Sequence, residues 1–502
     1  MQPARTRFMT LIHPFRDAAP WDCDGDKLRE ECGIFGVIGT RDAAPTAALG
    51  LHALQHRGQE AVGITSFDGH EFYSRRGIGH VAANFSTAAA LAELPGTMAA
   101  GHVRYSTTGG SGLRNVQPLF ADLASGGFAI AHNGNISNAM HLKHELVQKG
   151  AIFQSTSDTE VIIHLVATSR YPTLLDRFID ALRLVEGAYS LICMTPQGMI
   201  GCRDPLGIRP LVMGRIGDAV VFASETVALD VVGADFVREV EPGELIEVDL
   251  AGGVRSHRPF GSPAPRPCIF EHVYFSRPDS LMAGRSVYEA RKAIGRELAR
   301  EALADADIVI PVPDSGVPAA LGYAQESGIP FELGIIRSHY VGRTFIQPSD
   351  GARNADVKRK HNANRALVAG KRIVLIDDSI VRGTTSLKIV EMMRDAGAAE
   401  VHFRVASPPT EHSCFYGVDT PERSKLLAAR MDVQAMADFI AADSLAFVSI
   451  DGLYRAVGGT ARNAACPQFC DACFSGDYPT RLTDLTERDN PEQPSLPVGK
   501  VA

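Results

Sequence analysis

The stretch RIVLIDDSIVRGTTSLKIV, residues 372–390, limits the fold more than any other part of the chain. The unbroken apolar run Ile373–Ile376 reads as a strand buried on both faces, as in a parallel sheet covered by helices. It ends in two adjacent carboxylates, Asp377 and Asp378. A turn carrying Gly383 follows, and Thr384, Thr385 and Ser386 open a helix. In α/β folds the carboxyl edge of such a sheet is the crevice where ligands bind. Gly383 lets the backbone close around an anion, and the hydroxyls and the helix N-terminus offer it donors. The G-x-x-x-x-G-K-[ST] pattern of a P-loop is absent, which argues against an ordinary NTPase.

The flanking sequence repeats the α/β rhythm. Helices are predicted near 286–304, 316–327 and 384–396, alternating with the strands DIVIPVP, FELGII, KRIVLIDDS and EVHFRVAS. IPVPDSG, residues 310–316, ends a strand in a polar turn with Asp314 and Ser315. Residues 339–362 are long, polar and basic, with Arg343, Arg353, Lys358, Arg359 and Lys360. They are expected to act as a lid that closes over substrate and excludes water. This half resembles the type I phosphoribosyltransferases. The resemblance implies a phosphoribosyl pyrophosphate (PRPP) site at Asp377, Asp378, Ser379, Arg382, Gly383, Thr384, Thr385 and Ser386. Asp314, Ser315, Arg343 and Lys360 would complete it, with Mg²⁺ at Ser315, Asp377 and Asp378.

The first half is patterned differently. From Cys32 short β-like runs are punctuated by Gly, Asn and Asp, with helices expected near 43–55, 137–149, 158–170 and 173–185. This predicts an α+β layered domain ending near residue 260. Single polar residues mark the ends of its strands, in LQHRGQE (54–60), GHVRYSTTG (101–109), AHNGNI (131–136), STSDTE (155–160) and RDPLGIRPL (203–211). Arg104 suits a carboxylate, because a guanidinium forks onto two oxygens. Asn133 and the Gly134 backbone can donate to an oxyanion. Asp158 can hold an ammonium group. His56, His102 and His132 are read as structural.

With Cys32 in REECGIFGVIG (29–39), this set resembles the glutaminase domain of N-terminal-nucleophile (class II) amidotransferases. In that family the Cys is the first residue of the mature chain, and its own α-amine is the general base. A free α-amine has a pKa of about 8, close to that of a thiol, whereas an amide has no such basicity. The resemblance therefore implies that the Glu31–Cys32 bond is cut and that residues 1–31 are a propeptide. The fold implied is an N-terminal-nucleophile four-layer αββα sandwich over 32–262, followed by a phosphoribosyltransferase domain over 263–482. Residues 254–267, with Pro259, Pro263, Pro265 and Pro267, read as the linker. The tail 483–502 is polar and expected to be disordered.

A chain of 502 residues is too long for one ordinary core, which fits two domains. Its 45% hydrophobic and 22% charged residues are those of a soluble globular protein. The net charge of −8 argues against a general nucleic-acid binder. No apolar run nears the roughly 18 residues that cross a membrane, and FMTLI is too short for a signal-peptide core, so a cytoplasmic protein is expected.

Together the two halves resemble the glutamine PRPP amidotransferase family, and its propeptide- and iron–sulfur-containing subgroup in particular. The implied reaction is the glutamine-dependent conversion of PRPP to 5-phosphoribosylamine, the first committed step of purine synthesis. Nine cysteines, an odd number, do not form a disulfide framework. The resemblance implies a [4Fe–4S] cluster on Cys268, Cys414, Cys470 and Cys473. Spacing alone does not separate it from zinc, and Cys466 stands close enough to compete with Cys470. Cys193 and Cys202 read as core thiols. The family also implies a homotetramer inhibited by purine nucleotides. Two other readings stay open: a non-catalytic PRPP-binding regulator, and a glutaminase fused to a different ammonia-accepting synthase.

Overall fold

A computed structural model describes residues 29–30, 32–105, 112–261, 263–337 and 361–488. Most of the expected leader, together with Arg343 and Lys360, lies outside the described residues.

The first half is a sandwich of two antiparallel sheets. One has seven strands, in the order Asp235–Glu239, Val212–Ile216, Ala219–Ala223, Cys32–Ile38, Met98–Arg104, Ala61–Phe67 and Phe72–Ile78. The other has six, ordered Val254–His257, Leu245–Asp249, Gly198–Arg203, Gly187–Thr195, Gly126–Ile136 and Leu119–Leu123. Strand alternation assigns the faces. Ile34, Met98, Ala129, Ile192, Met194, Met199 and Phe222 meet in the layer between the sheets. Phe35, Val37 and Val103 face the helix Ala43–Ala53. Phe128, Ile130 and Leu191 face the helices Ala139–Gln148, Thr159–Thr168 and Leu174–Leu182. Helix, sheet, sheet, helix is the four-layer arrangement expected. Cys193 and Cys202 are buried in the last of these cores.

The second half is built on four parallel strands, ordered Ile308–Pro311, Arg372–Asp377, Glu400–Val405 and Ser444–Phe447. Val309, Val374 and Ile376 pack toward the helices Val287–Glu301 and Val317–Ser327. Ile308, Ile310, Ile373 and Leu375 pack toward the opposite side, with Ile389, Met393 and Met436 of the helices Thr384–Asp395 and Val433–Phe439.

Two expectations are corrected. Val254–His257, the start of the proline-bearing stretch, is an edge strand paired in register with Leu245–Val248. With one β-branched residue among Val254, Arg255, Ser256 and His257, and prolines close behind, the segment carries little strand signal. Thr483–Arg488, expected in a disordered tail, forms a helix. Its stability comes from the first half. Asp484 accepts hydrogen bonds from the Met140 and His141 amides at 2.8 and 2.9 Å, and Thr483 donates to Glu186 at 2.8 Å. The helix Ala139–Gln148 has no side-chain cap of its own, so Asp484 supplies one from 344 positions away. Tertiary partners of this kind leave no local trace.

FELGII is divided: Phe331 makes an isolated parallel bridge with Val309, and Ile335–Arg337 pairs antiparallel with His361–Ala363 at the two ends of the basic arm. No helix of the described residues is long and apolar enough to cross a membrane.

Candidate active sites

The nucleophile candidate Cys32 is the first residue of its strand, stands directly opposite Arg104, and is 8% exposed. Directly paired residues of an antiparallel ladder share a face. Both side chains therefore lie on the inner face with Ile34 and His102, at the end of the inter-sheet layer. The facing strand Gly126–Ile136 presents its odd-numbered residues inward, which puts Asn133 on the same layer as Ala129 and Ala131. Asn133 is fully buried. Its Nδ2 donates to Ser224 Oγ at 3.4 Å, and that oxygen also accepts from the Ile34 amide at 3.0 Å.

Gly134 has φ +144°, and a Cβ there would lie 2.1 Å from the Ala188 carbonyl oxygen. Only glycine fits such a site without strain, so the backbone next to Asn133 is held in a conformation that side-chain-bearing residues avoid. Asp158 opens the helix Thr159–Thr168. Its carboxylate accepts from the Thr159 amide at 2.8 Å and from Ile136 at 3.0 Å, and it also lines a pocket with Lys143, Phe415 and Leu482. It thus serves as a helix cap while facing a cavity.

The histidines behave as structural groups. Burial beside Arg104 pushes His102 down to about 3, so it stays neutral. His132 bonds Thr159 at 3.0 Å, and His56 pairs with Glu225 at 2.6 Å.

In the second half the acidic pair ends its strand as expected, with Asp377 and Asp378 both nearly fully buried. The Asp378 amide donates to Asp377 at 2.9 Å, and Ser379 donates to Asp378 at 2.6 Å. Gly383 has φ +79° and caps the twelve-residue helix Thr384–Asp395. Ser386, in its first turn, is buried. A Cβ on Gly316 would fall 2.4 Å from the Ile376 carbonyl oxygen, which measures how closely the Asp314–Ser315 turn abuts the acidic pair. Arg337, at the base of the basic arm, is ion-paired to Asp314. The two turns abut, and their Asp377 and Asp378 carboxylates and Ser315 hydroxyl are oxygen donors of the kind a hard cation such as Mg²⁺ takes.

Cys268, Cys414, Cys470 and Cys473 line one small, tightly packed cavity with Tyr416, Val418 and Ala472. Cys466 is exposed and does not line it. The walls are stitched together by backbone: Cys268 and Cys470 form a parallel bridge, and the amides of Glu411 and His412 both donate to the Cys473 carbonyl at 3.1 Å. Burial pushes the Cys268 thiol up to about 12. Among the described residues no three His, Cys, Asp or Glu side chains gather closely enough to hold a single ion.

Residue-type reasoning assigned no role to the charges that join the halves. Arg57, fully buried, pairs with Glu225 and with Glu271, the latter at 2.8 Å. Arg209 reaches Glu271 at 3.2 Å and Asn133 Oδ1 at 3.4 Å. Glu225 accepts from Ser280 at 2.6 Å and from the Arg277 amide at 2.9 Å. Arg57 and Arg209 lie in LQHRGQE and RDPLGIRPL, stretches that already stood out, but their partners come from across the chain. On the same interface Asn135 Nδ2 donates to the Phe415 carbonyl at 2.9 Å, and Gly417 packs against Gly134.

Comparison with known proteins follows the same division. The glutamine amidotransferase domain model matches residues 102–231, and the phosphoribosyl transferase domain model matches residues 285–410. An amidophosphoribosyltransferase of Rhizobium etli is 60% identical over 481 residues, covering 95% of this chain and 97% of that one. An amidophosphoribosyltransferase of Bacillus subtilis is 48% identical, covering 91% and 95%. The solved structure of the Bacillus subtilis glutamine PRPP amidotransferase complexed with ADP and GMP matches with a TM-score of 0.85 at 47% identity. It covers 90% of this chain and 98% of that one.

Proposed function

This chain belongs to the amidophosphoribosyltransferase family, and from that premise we propose how its residues divide the work. The reaction is glutamine + PRPP + water → 5-phosphoribosylamine + glutamate + pyrophosphate, the first step of purine biosynthesis. The observation that carries the division is that one chain holds a cysteine at the mouth of a two-sheet sandwich and an acidic pair at the edge of a parallel sheet.

In the first half, the Glu31–Cys32 bond is cut and the freed α-amine of Cys32 takes the thiol proton. The thiolate adds to the glutamine amide carbon. Asn133 Nδ2 and the Gly134 amide donate to the resulting oxyanion. Arg104 clamps the substrate α-carboxylate, and Asp158 holds its ammonium. The amine returns the proton to the leaving ammonia, and water then releases glutamate from the thioester.

In the second half, Asp377 and Asp378 hold the ribose hydroxyls of PRPP. Ser379, Arg382, Gly383, Thr384, Thr385 and Ser386 hold the 5′-phosphate at the helix N-terminus. Asp314 and Ser315 face the diphosphate, with Arg343 and Lys360 arriving from the basic arm. Mg²⁺, held by Ser315, Asp377 and Asp378, would neutralise the departing pyrophosphate. Ammonia attacks C1 as the C1–oxygen bond breaks, and the protein contributes positioning and electrostatic stabilisation.

The four-cysteine cavity is assigned to a [4Fe–4S] cluster on Cys268, Cys414, Cys470 and Cys473. It would serve as a structural tie, because neither half-reaction is redox chemistry. Purine nucleotides are assigned as inhibitors, supported by the relative crystallised with ADP and GMP. A homotetramer is the assembly this family reading carries. We place it in the cytoplasm on its nine cysteines, an odd count that gives no disulfide framework.

The test is a pair of assays on the mature, anaerobically purified chain with PRPP and Mg²⁺. Pyrophosphate release is expected with either glutamine or ammonia in the wild type, and with ammonia alone in Cys32→Ala. Glutamine-driven synthesis by Cys32→Ala would overturn the assignment of the nucleophile.

A further inference from the structure

Arg57, Arg209, Glu225 and Glu271 form a charge-balanced group at the junction of the two halves, each 0–1% exposed. Buried ion pairs of this kind seldom stabilise a protein more than apolar side chains of the same volume would. Stability alone is therefore a weak reason for their presence beside Asn133.

The geometry around Asn133 suggests a stronger one. A carboxamide has an oxygen end that only accepts and a nitrogen end that only donates. It helps an oxyanion only when its NH₂ points at it; turned over, the oxygen would repel the charge. A guanidinium is purely a donor, so the Arg209 Nη2 contact to Asn133 at 3.4 Å fixes which end is the oxygen. The NH₂ end is thereby directed to Ser224 Oγ, which also holds the Ile34 amide two residues from Cys32. The amide carries two hydrogens, and Ser224 takes only one.

Arg209 is itself held at both ends. Its backbone amide donates to Asp204 at 3.0 Å, and Arg203 donates to its carbonyl at 2.7 Å. Its guanidinium lies 3.2 Å from Glu271, which is further fixed by Ser276 at 2.6 Å and by Arg57.

We propose that Arg209 is a positioning residue of the glutaminase reaction, orienting the Asn133 amide so that its NH₂ faces the oxyanion, and that Glu271 of the second domain holds Arg209 in place. This rests on the reading of Asn133 as an oxyanion donor. The quality of the first site's oxyanion donor is thus set by a carboxylate from the other domain.

The experiment compares two ligands of the mature full-length chain. One is the aldehyde analogue of glutamine. The Cys32 thiolate adds to its carbonyl carbon, the carbon–sulfur bond forms, and the π pair moves onto oxygen to give a tetrahedral adduct. The other is L-glutamate, which forms no such centre. Arg209→Met and Asn133→Ala are each expected to weaken aldehyde binding by about 100-fold, the low end of the range for loss of an oxyanion donor. Glutamate affinity should change by less than about threefold, and the double variant should lose little more than either single one.

Arg209→Lys keeps the charge facing Glu271 but lacks the planar fork, and it should show the same selective loss. It carries the test if Arg209→Met does not fold, and ammonia-dependent synthesis reports folding for every variant. If Asn133→Ala loses aldehyde affinity and the Arg209 variants do not, the positioning role is overturned. If none of them loses it, Asn133 is not the donor, and both readings fall. Equal loss of aldehyde and glutamate in the Arg209 variants would make Arg209 merely structural and also overturn the proposal.

Discussion

Cys32 and Arg104 are register partners in an antiparallel ladder, so the thiol and the guanidinium leave the sheet on the same side. Their separation along the substrate is set by backbone hydrogen bonds, not by loop conformation. Arg104→Lys keeps the charge but loses the two-pronged grip on a carboxylate. The KM for glutamine should rise by about 10- to 100-fold, with a smaller change in kcat and no change in ammonia-dependent synthesis. Steady-state kinetics with the two nitrogen donors measure this directly.

The propeptide reading makes a prediction about mass. The active protein should begin at Cys32, and a Glu31→Pro variant that blocks cleavage should lose glutamine-dependent activity by a factor of about 10³ or more, since the base is then an amide. Intact mass and N-terminal sequencing check the first part. An active chain that still carries Glu31 would rule out the α-amine as base.

Asp377→Asn removes one charge from the acidic pair and should slow PRPP turnover by about 100-fold with either nitrogen donor. Loss confined to glutamine-driven synthesis would contradict the placement of the pair in the second site.

The domain junction predicts acid sensitivity. Arg57 holds the Glu225 and Glu271 carboxyls well below the usual carboxylate range, against the opposing effect of burial. A carboxyl depressed on folding stabilises the fold above its unfolded pKa, near 4.5, and that contribution is lost as pH falls from there toward the folded value. Arg57→Met takes the shared guanidinium from two buried carboxylates, leaving Glu271 to Arg209 and Glu225 to His56. It should cost about 3–5 kcal/mol at neutral pH and flatten the fall in Tm below pH 4.5. Thermal melts of both proteins from pH 3 to 7 provide the comparison.

Asp484→Ala removes the distant cap on the helix Ala139–Gln148. It should lower stability by about 1 kcal/mol, and hydrogen exchange should rise first at Met140 and His141.

The sequence was most legible where chemistry and periodicity coincide. The acidic pair at a strand end, Gly383 and the helix after it could be placed because strand, turn and helix are contiguous. Cys32, Arg104 and Asn133 could be suspected from residue type, but their meeting depends on the pairing of Cys32–Ile38 with Met98–Arg104 and on the packing of a second sheet against both. Arg209 and Glu271 were out of reach. An arginine in a loop and a glutamate in an aromatic-rich turn carry no local sign of each other, and only folding removes both from water. The helix Thr483–Arg488 was missed for the same reason: the groups that Thr483 and Asp484 bond, Glu186 and the Met140 and His141 amides, all belong to another domain.

The buried junction also bears on how far the two halves can be treated as interchangeable modules. Arg57 and Arg209 belong to one half and Glu271 to the other, with no solvent to screen a mismatch. A glutaminase domain excised from this chain, or grafted onto a foreign acceptor domain, would carry two arginines sharing the single remaining carboxylate of Glu225. Any functional chimera has to bring an acidic side chain to the position of Glu271, so compatibility between halves reduces to a charge-matching rule that can be applied before a hybrid is built.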